Sequence, residues 1–237
     1  MAWRTWIAAP VALAVIGIGI TAGTASATDH TAPPNSKAFG KSLADWTSAY
    51  FVPGFSGSPI DTIKNVKLLP LPAGTQVGGD FTSSNPATIV GALDVTLKPG
   101  TPFVLPVAIW FGEKYSTPPG LPDDAPLSAS VFTGSNVLVK VDGVAVIDSH
   151  KGDLARWYVA PQYYDPPITY PAPTSYGSIA ANFVQGLAFV HHPLSKGDHT
   201  LTLKSEIITF VPNYYGPGLN LDIGVRYENS WTIHVTK

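Results

Sequence analysis

Carboxylate chemistry in this chain rests on few long-armed acids, because three glutamates, Glu113, Glu206 and Glu228, stand against 13 aspartates placed mostly in turn-like contexts. Hydrolysis of a glycosidic bond needs two placed carboxylates. Glu113 follows the apolar run 103–111, where a strand would open into a mouth, and Glu206 interrupts an apolar run between Leu203 and Ile207. The two are the catalytic candidates for a hydrolase of an envelope or environmental polymer. They fit equally well as a strand-end charge and an outward-facing strand charge.

Other reactive sets are thinner. His191 and His192 end a predicted strand, and neighbouring strand residues point to opposite faces, so the two imidazoles cannot readily chelate one metal. His199, Glu206, Asp222 or Glu228 could join one of them across strands. No H-x-H, H-E-x-x-H or facial-triad spacing occurs, and no metal ligand set is assigned. Calcium is the one cofactor with hard oxygen donors to hand, at Asp123-Asp124 or at Asp148 with Asp153. Gly54-Phe55-Ser56-Gly57-Ser58 approaches the nucleophile-elbow pattern but has Ser for the last Gly and does not lead from a strand into a helix.

The aromatic residues point to binding. In residues 153–178, Trp157, Tyr158, Tyr163, Tyr164, Tyr170 and Tyr176 are interleaved with Pro161, Pro166, Pro167, Pro171 and Pro173. This predicts a long structured loop, and Tyr214-Tyr215 extends its surface. Aromatic faces that stack on sugar rings while their polar tips meet hydroxyls would bind carbohydrate without catalysis. The same rings, with Arg156, fit a protein contact. Packed on the prolines, they would only order the loop.

Strands must position these groups. Phe39, Leu43, Trp46 and Tyr50 recur at helical spacing and predict one amphipathic helix over about 36–51, ended by Pro53-Gly54, packed outside a sheet or plugging a barrel end. Beyond it the period falls toward two, with strands predicted at 66–71, 88–97, 103–111, 137–141, 144–147, 182–190, 200–210, 219–227 and 231–235. Asp142-Gly143 between two apolar runs predicts a two-residue hairpin turn. Strands joined by tight turns, with no alternating helices, predict an all-β antiparallel sandwich of jelly-roll type.

Composition agrees. Only 13% of residues are charged, with 22 Gly and 23 Pro, against the roughly 25% charge of ordinary soluble domains. A net charge of -2 lacks the basic excess that phosphate neutralisation demands, which excludes nucleic acid as the natural partner. Residues 1–27, with Arg4, an apolar run and the ending Ala25-Ser26-Ala27, read as a secretory signal peptide and the sole membrane contact. Residues 28–35 then form a polar leader and 36–237 one domain. Without cysteine, an exported domain must rely on its core rather than on disulfides.

Gly40-Lys41-Ser42-Leu43-Ala44-Asp45-Trp46, Lys98-Pro99-Gly100-Thr101, Val141-Asp142-Gly143-Val144, Gly197-Asp198-His199-Thr200-Leu201 and the terminal Trp231-Thr232-Ile233-His234-Val235, in that order, resemble a family of secreted all-β bacterial proteins without an assigned activity. The resemblance implies export and a fold, but no reaction. Members often carry cysteines and a Trp-Trp pair where this chain has Tyr50-Phe51. The sequence therefore predicts a secreted or envelope-located, non-catalytic binding domain, foremost for carbohydrate. A polymer hydrolase and an oligomerising or protein-binding surface component are the alternatives.

Overall fold

The structure, a computed structural model, describes residues 31–33, 35–59, 61–116 and 121–237. The predicted signal peptide and the first residues of the leader lie outside them. In chain order the elements are α1 (Leu43–Phe55), β1 (Thr62–Ile63), β2 (Val66–Leu68), β3 (Thr75–Gly78), β4 (Ala87–Leu97) and β5 (Phe103–Tyr115). They continue with α2 (Ala129–Thr133), β6 (Val137–Val141), β7 (Val144–Asp148), β8 (Tyr158–Thr169), β9 (Ser178–His191), β10 (Gly197–Val211) and β11 (Leu221–Val235).

The strands form an all-β sandwich. One sheet runs β1-β2-β5-β9-β8 and the other β3-β4-β11-β10-β6-β7. Pairing is antiparallel except at β4–β11 and β2–β5, which are parallel, so the expected all-antiparallel pattern holds only in part. Alternation along β10 places Leu201, Leu203, Ser205 and Ile207 inward, where they meet Leu105, Phe189 and Trp231. The Ser205 hydroxyl donates across the sandwich to the Val107 carbonyl at 2.7 Å, satisfying a polar atom in that core.

Helix α1 starts at a capping box, in which the Ser42 hydroxyl accepts from the Asp45 amide and the Asp45 carboxylate accepts from the Ser42 amide. Its Trp46 and Tyr50 are fully buried against Val104, Ala188 and Val190 on the outer face of the five-stranded sheet. That cover explains why β9 is apolar on both faces. The helix passes through Pro53 instead of ending there, because Phe55 docks beneath Phe111 and Tyr170 and holds the last turn. Phe39 leaves the helical row: it sits at φ 52° in a short 3-10 turn and meets His192 edge-on.

Three further expectations change. The runs expected at 219–227 and 231–235 merge into one strand, β11, which starts at Leu221 and pairs along its full length with β10. Strands β1 and β3 are short additions at sheet edges. The middle of the proline-rich segment is strand β8, Tyr158–Thr169, and not a loop. Proline removes a donor from a ladder and is tolerated at an edge, and β8 is the edge of its sheet, paired to β9 with register shifts around Ala160-Pro161 and Tyr164 to Pro167. Among the described residues no helix is long and apolar enough to cross a membrane.

Candidate ligand-binding cleft

The two sheets part where β5 runs out toward Tyr115 and β11 begins. The opening is a cleft of about 490 Å³, walled by Ile109 and Trp110 of β5, Ile207 of β10 and Ile223, Val225 and Tyr227 of β11. Phe81, Tyr115, Tyr176 and Tyr215 complete it. The volume lies within the range of small-molecule sites, which are mostly apolar with a few placed polar groups. Asn220, Asp222 and Ser175 supply polar groups.

A buried acid–tyrosine network braces this end. Glu113 is fully buried, and Asp124 is 6% exposed. The Tyr170 and Tyr176 hydroxyls donate to Glu113 Oε1 at 3.0 and 3.1 Å. Asp124 accepts from the Glu113 amide at 2.9 Å, from the Tyr215 hydroxyl at 3.0 Å and from the Tyr115 hydroxyl at 3.3 Å. Burial, and then the charge of Glu113, push the Tyr170 hydroxyl above the usual phenol range, so it remains a proton donor to that carboxylate. The Tyr214 hydroxyl donates to the Ala125 carbonyl, which ties residues 212–220 to the segment carrying Asp124. Tyr214 and Tyr215 meet edge to face at 4.7 Å.

The predicted aromatic residues separate. Trp157 is 3% exposed within the core, with the Arg156 guanidinium 4.7 Å over its ring. Tyr158 packs 5.8 Å from Phe132. Tyr164 lies 6.1 Å from Phe55 and donates to the Ser48 carbonyl at 3.2 Å, and burial raises its hydroxyl. Tyr170 is 7% exposed. Of the predicted rings only Tyr163, at 65% exposure, stands open to solvent. These side chains therefore do not form one exposed platform, because a strand sends alternate residues to opposite faces where a loop could have presented them together. Tyr176 and Tyr215 instead line the cleft.

The carboxylate candidates do not meet either. Ser205 points into the sandwich, so Glu206 beside it points out, held by the Asn136 side chain and by Arg226 Nε at 3.2 Å. Glu113 belongs to the other sheet. The paired-acid geometry of a glycosidase is thus not assembled from them. His191 stacks on Phe103 at 4.9 Å, near the start of β5 and away from Glu113 at its end. His199 pairs with Asp142 at 2.7 Å, Asp222 accepts from the Ser83 amide at 2.7 Å, and Glu228 pairs with Lys204 at 3.1 Å.

Among the described residues no group of three His, Asp or Glu could hold a metal ion. The calcium candidates have local work: Asp123 accepts from the Asn182 side chain at 3.3 Å, Asp148 from the His150 amide at 3.0 Å and Asp153 from the Ala155 amide at 2.7 Å. Ser56 of the elbow-like segment caps the end of α1, its hydroxyl donating to the Pro53 carbonyl at 3.1 Å.

Sequence reasoning missed most of the cleft wall. Ile109, Ile207 and Val225 read as ordinary inward strand positions, and nothing local marks them as lining an opening. Phe81, in a polar Gly-Asp-Phe-Thr-Ser-Ser stretch, was the one apolar residue out of place there. No protein family, curated protein or solved structure matches the chain.

Proposed function

We propose that the chain is an exported, non-catalytic binding domain that seats a small, mostly apolar organic molecule between its two sheets. The cleft of about 490 Å³ and its aromatic and aliphatic wall carry this reading. Burial against such a wall supplies the affinity, at about 25 cal/mol for each Å² of apolar surface removed from water. Ser175 and Asn220 supply orientation. Export is inferred from the sequence of residues 1–27.

The neutral dye N-phenyl-1-naphthylamine tests the reading. The mature domain is expected to bind it saturably with a rise in fluorescence, and Ile223→Trp, which fills the cleft, is expected to abolish binding while the protein stays folded. Equal binding by that variant would reject the cleft as the seat.

A second reading keeps extracellular carbohydrate as the ligand, on the exposed Tyr163 ring of edge strand β8. Glycan-array binding that is lost in Tyr163→Ala, with the melting temperature held, would favour it.

A further inference from the structure

Phe81 has φ 68°, in the left-handed region where a side chain with a Cβ is strained and glycine is not. The segment around it is built to hold that conformation. The Asp80 amide donates to the Asn85 carbonyl at 3.0 Å, and the Asp80 carboxylate accepts from the Thr82 hydroxyl at 2.6 Å. Two bonds then dock the turn on β11: the Gly224 amide donates to the Phe81 carbonyl at 2.8 Å, and the Ser83 amide donates to the Asp222 carboxylate at 2.7 Å. A Cβ at residue 224 would lie 1.9 Å from the Thr82 carbonyl oxygen, so the close approach needs glycine there.

Of the other left-handed positions, Asn65, Asp142 and Asn213 carry residues suited to turns, and Lys64 does not. Phe39, which meets His192 edge-on, shares the conformation. Phe81 carries its ring into the cleft wall beside the core. Strain that surrounding structure over-determines is characteristic of ligand clamps. A ring kept at a backbone conformation that by itself favours glycine fits a part in the cleft wall.

We infer that Phe81 is a specificity-determining wall of the cleft, and that it selects a flat aromatic or polycyclic ligand over a linear alkyl chain. This rests on the cleft being the ligand seat. An aromatic face contributes beyond its buried area when it meets another ring and adds no such term against an alkyl chain. Trp110, Tyr115, Tyr176, Tyr215 and Tyr227 give the same cavity further rings.

The test compares wild type, Phe81→Gly and Phe81→Leu with N-phenyl-1-naphthylamine and with 1-decanol, by fluorescence and calorimetry, alongside melting temperature. Phe81→Gly relieves the strain and removes the ring. Its naphthylamine affinity should fall roughly three- to tenfold, the size of an aromatic pair's contribution, with decanol affinity little changed and melting temperature held or raised. Phe81→Leu, which keeps apolar bulk at the same φ, should lose the preference for the naphthylamine while still binding both. Unchanged naphthylamine affinity in both variants, with a lower melting temperature, would show that Phe81 only packs the core and would overturn the inference while leaving the cleft reading standing. A wild-type protein that binds neither probe saturably would remove both.

Discussion

Glu113 and Asp124 bond to each other twice: the Glu113 amide donates to the Asp124 carboxylate at 2.9 Å, and the Asp124 amide donates to the Glu113 carbonyl at 2.9 Å. The exchange fastens the segment carrying Asp124 to the end of β5. Because Asp124 also accepts from Tyr115 and Tyr215, one carboxylate fixes two rings of the cleft.

Asp124→Ala is therefore expected to lower stability by about 3 kcal/mol, the upper end of the cost of leaving a buried donor unpaired. Asp124→Asn keeps an acceptor oxygen and should lose less. Urea denaturation midpoints measure both, and an alanine variant as stable as wild type would mean that the network contributes nothing to folding.

Gly112→Ala should destabilise by at least about 1 to 3 kcal/mol, the usual range for overpacking a core. A Cβ built at Gly112 lies 1.9 Å from Cε1 of Phe183, a fully buried ring with no room to retreat. Restoration of the melting temperature by the double variant Gly112→Ala, Phe183→Leu would confirm the contact as the cause.

Alkaline titration should expose Tyr170. Its folded-state hydroxyl is raised by burial first and by Glu113 second, whereas the unfolded phenol ionises near pH 10. The folded state thus holds the proton more tightly, so this contribution is fully present below about pH 10 and is lost as pH rises beyond it. Tyr50 and Tyr164, also raised by burial, act in the same direction. Tyr170→Phe should flatten the fall in stability above pH 10, measured as unfolding free energy against pH. A slope identical to wild type would contradict the assignment.

Gly143→Val should cost about 1 to 3 kcal/mol, the scale of a residue forced into a sparsely populated region. Gly143 has φ 80° and nothing within 4 Å of a Cβ placed there, so backbone strain alone is being read. Together with Asp142 at φ 51° it makes the β6–β7 turn. An unchanged thermal midpoint would remove the turn from the account.

What the sequence by itself determined is local. The Asp142-Gly143 turn and the helical row of Leu43, Trp46 and Tyr50 each depend on residues a few positions apart, whose φ preferences and periodicity act before any distant contact forms. The sandwich follows because half-apolar strands must bury one face. Strand β8 was hidden because proline suppresses a ladder only where both edges are used, and edge position is a property of the assembled sheet. The separation of Glu113 from Glu206, the dispersal of the tyrosines and the cleft itself were decided by tertiary structure alone. Residues 81, 110, 207 and 225 meet only when four distant segments are brought together by two sheets. An inward apolar residue in a sequence looks the same whether it meets a neighbour or faces an opening, since burial against another strand and burial against a ligand draw on the same side chains.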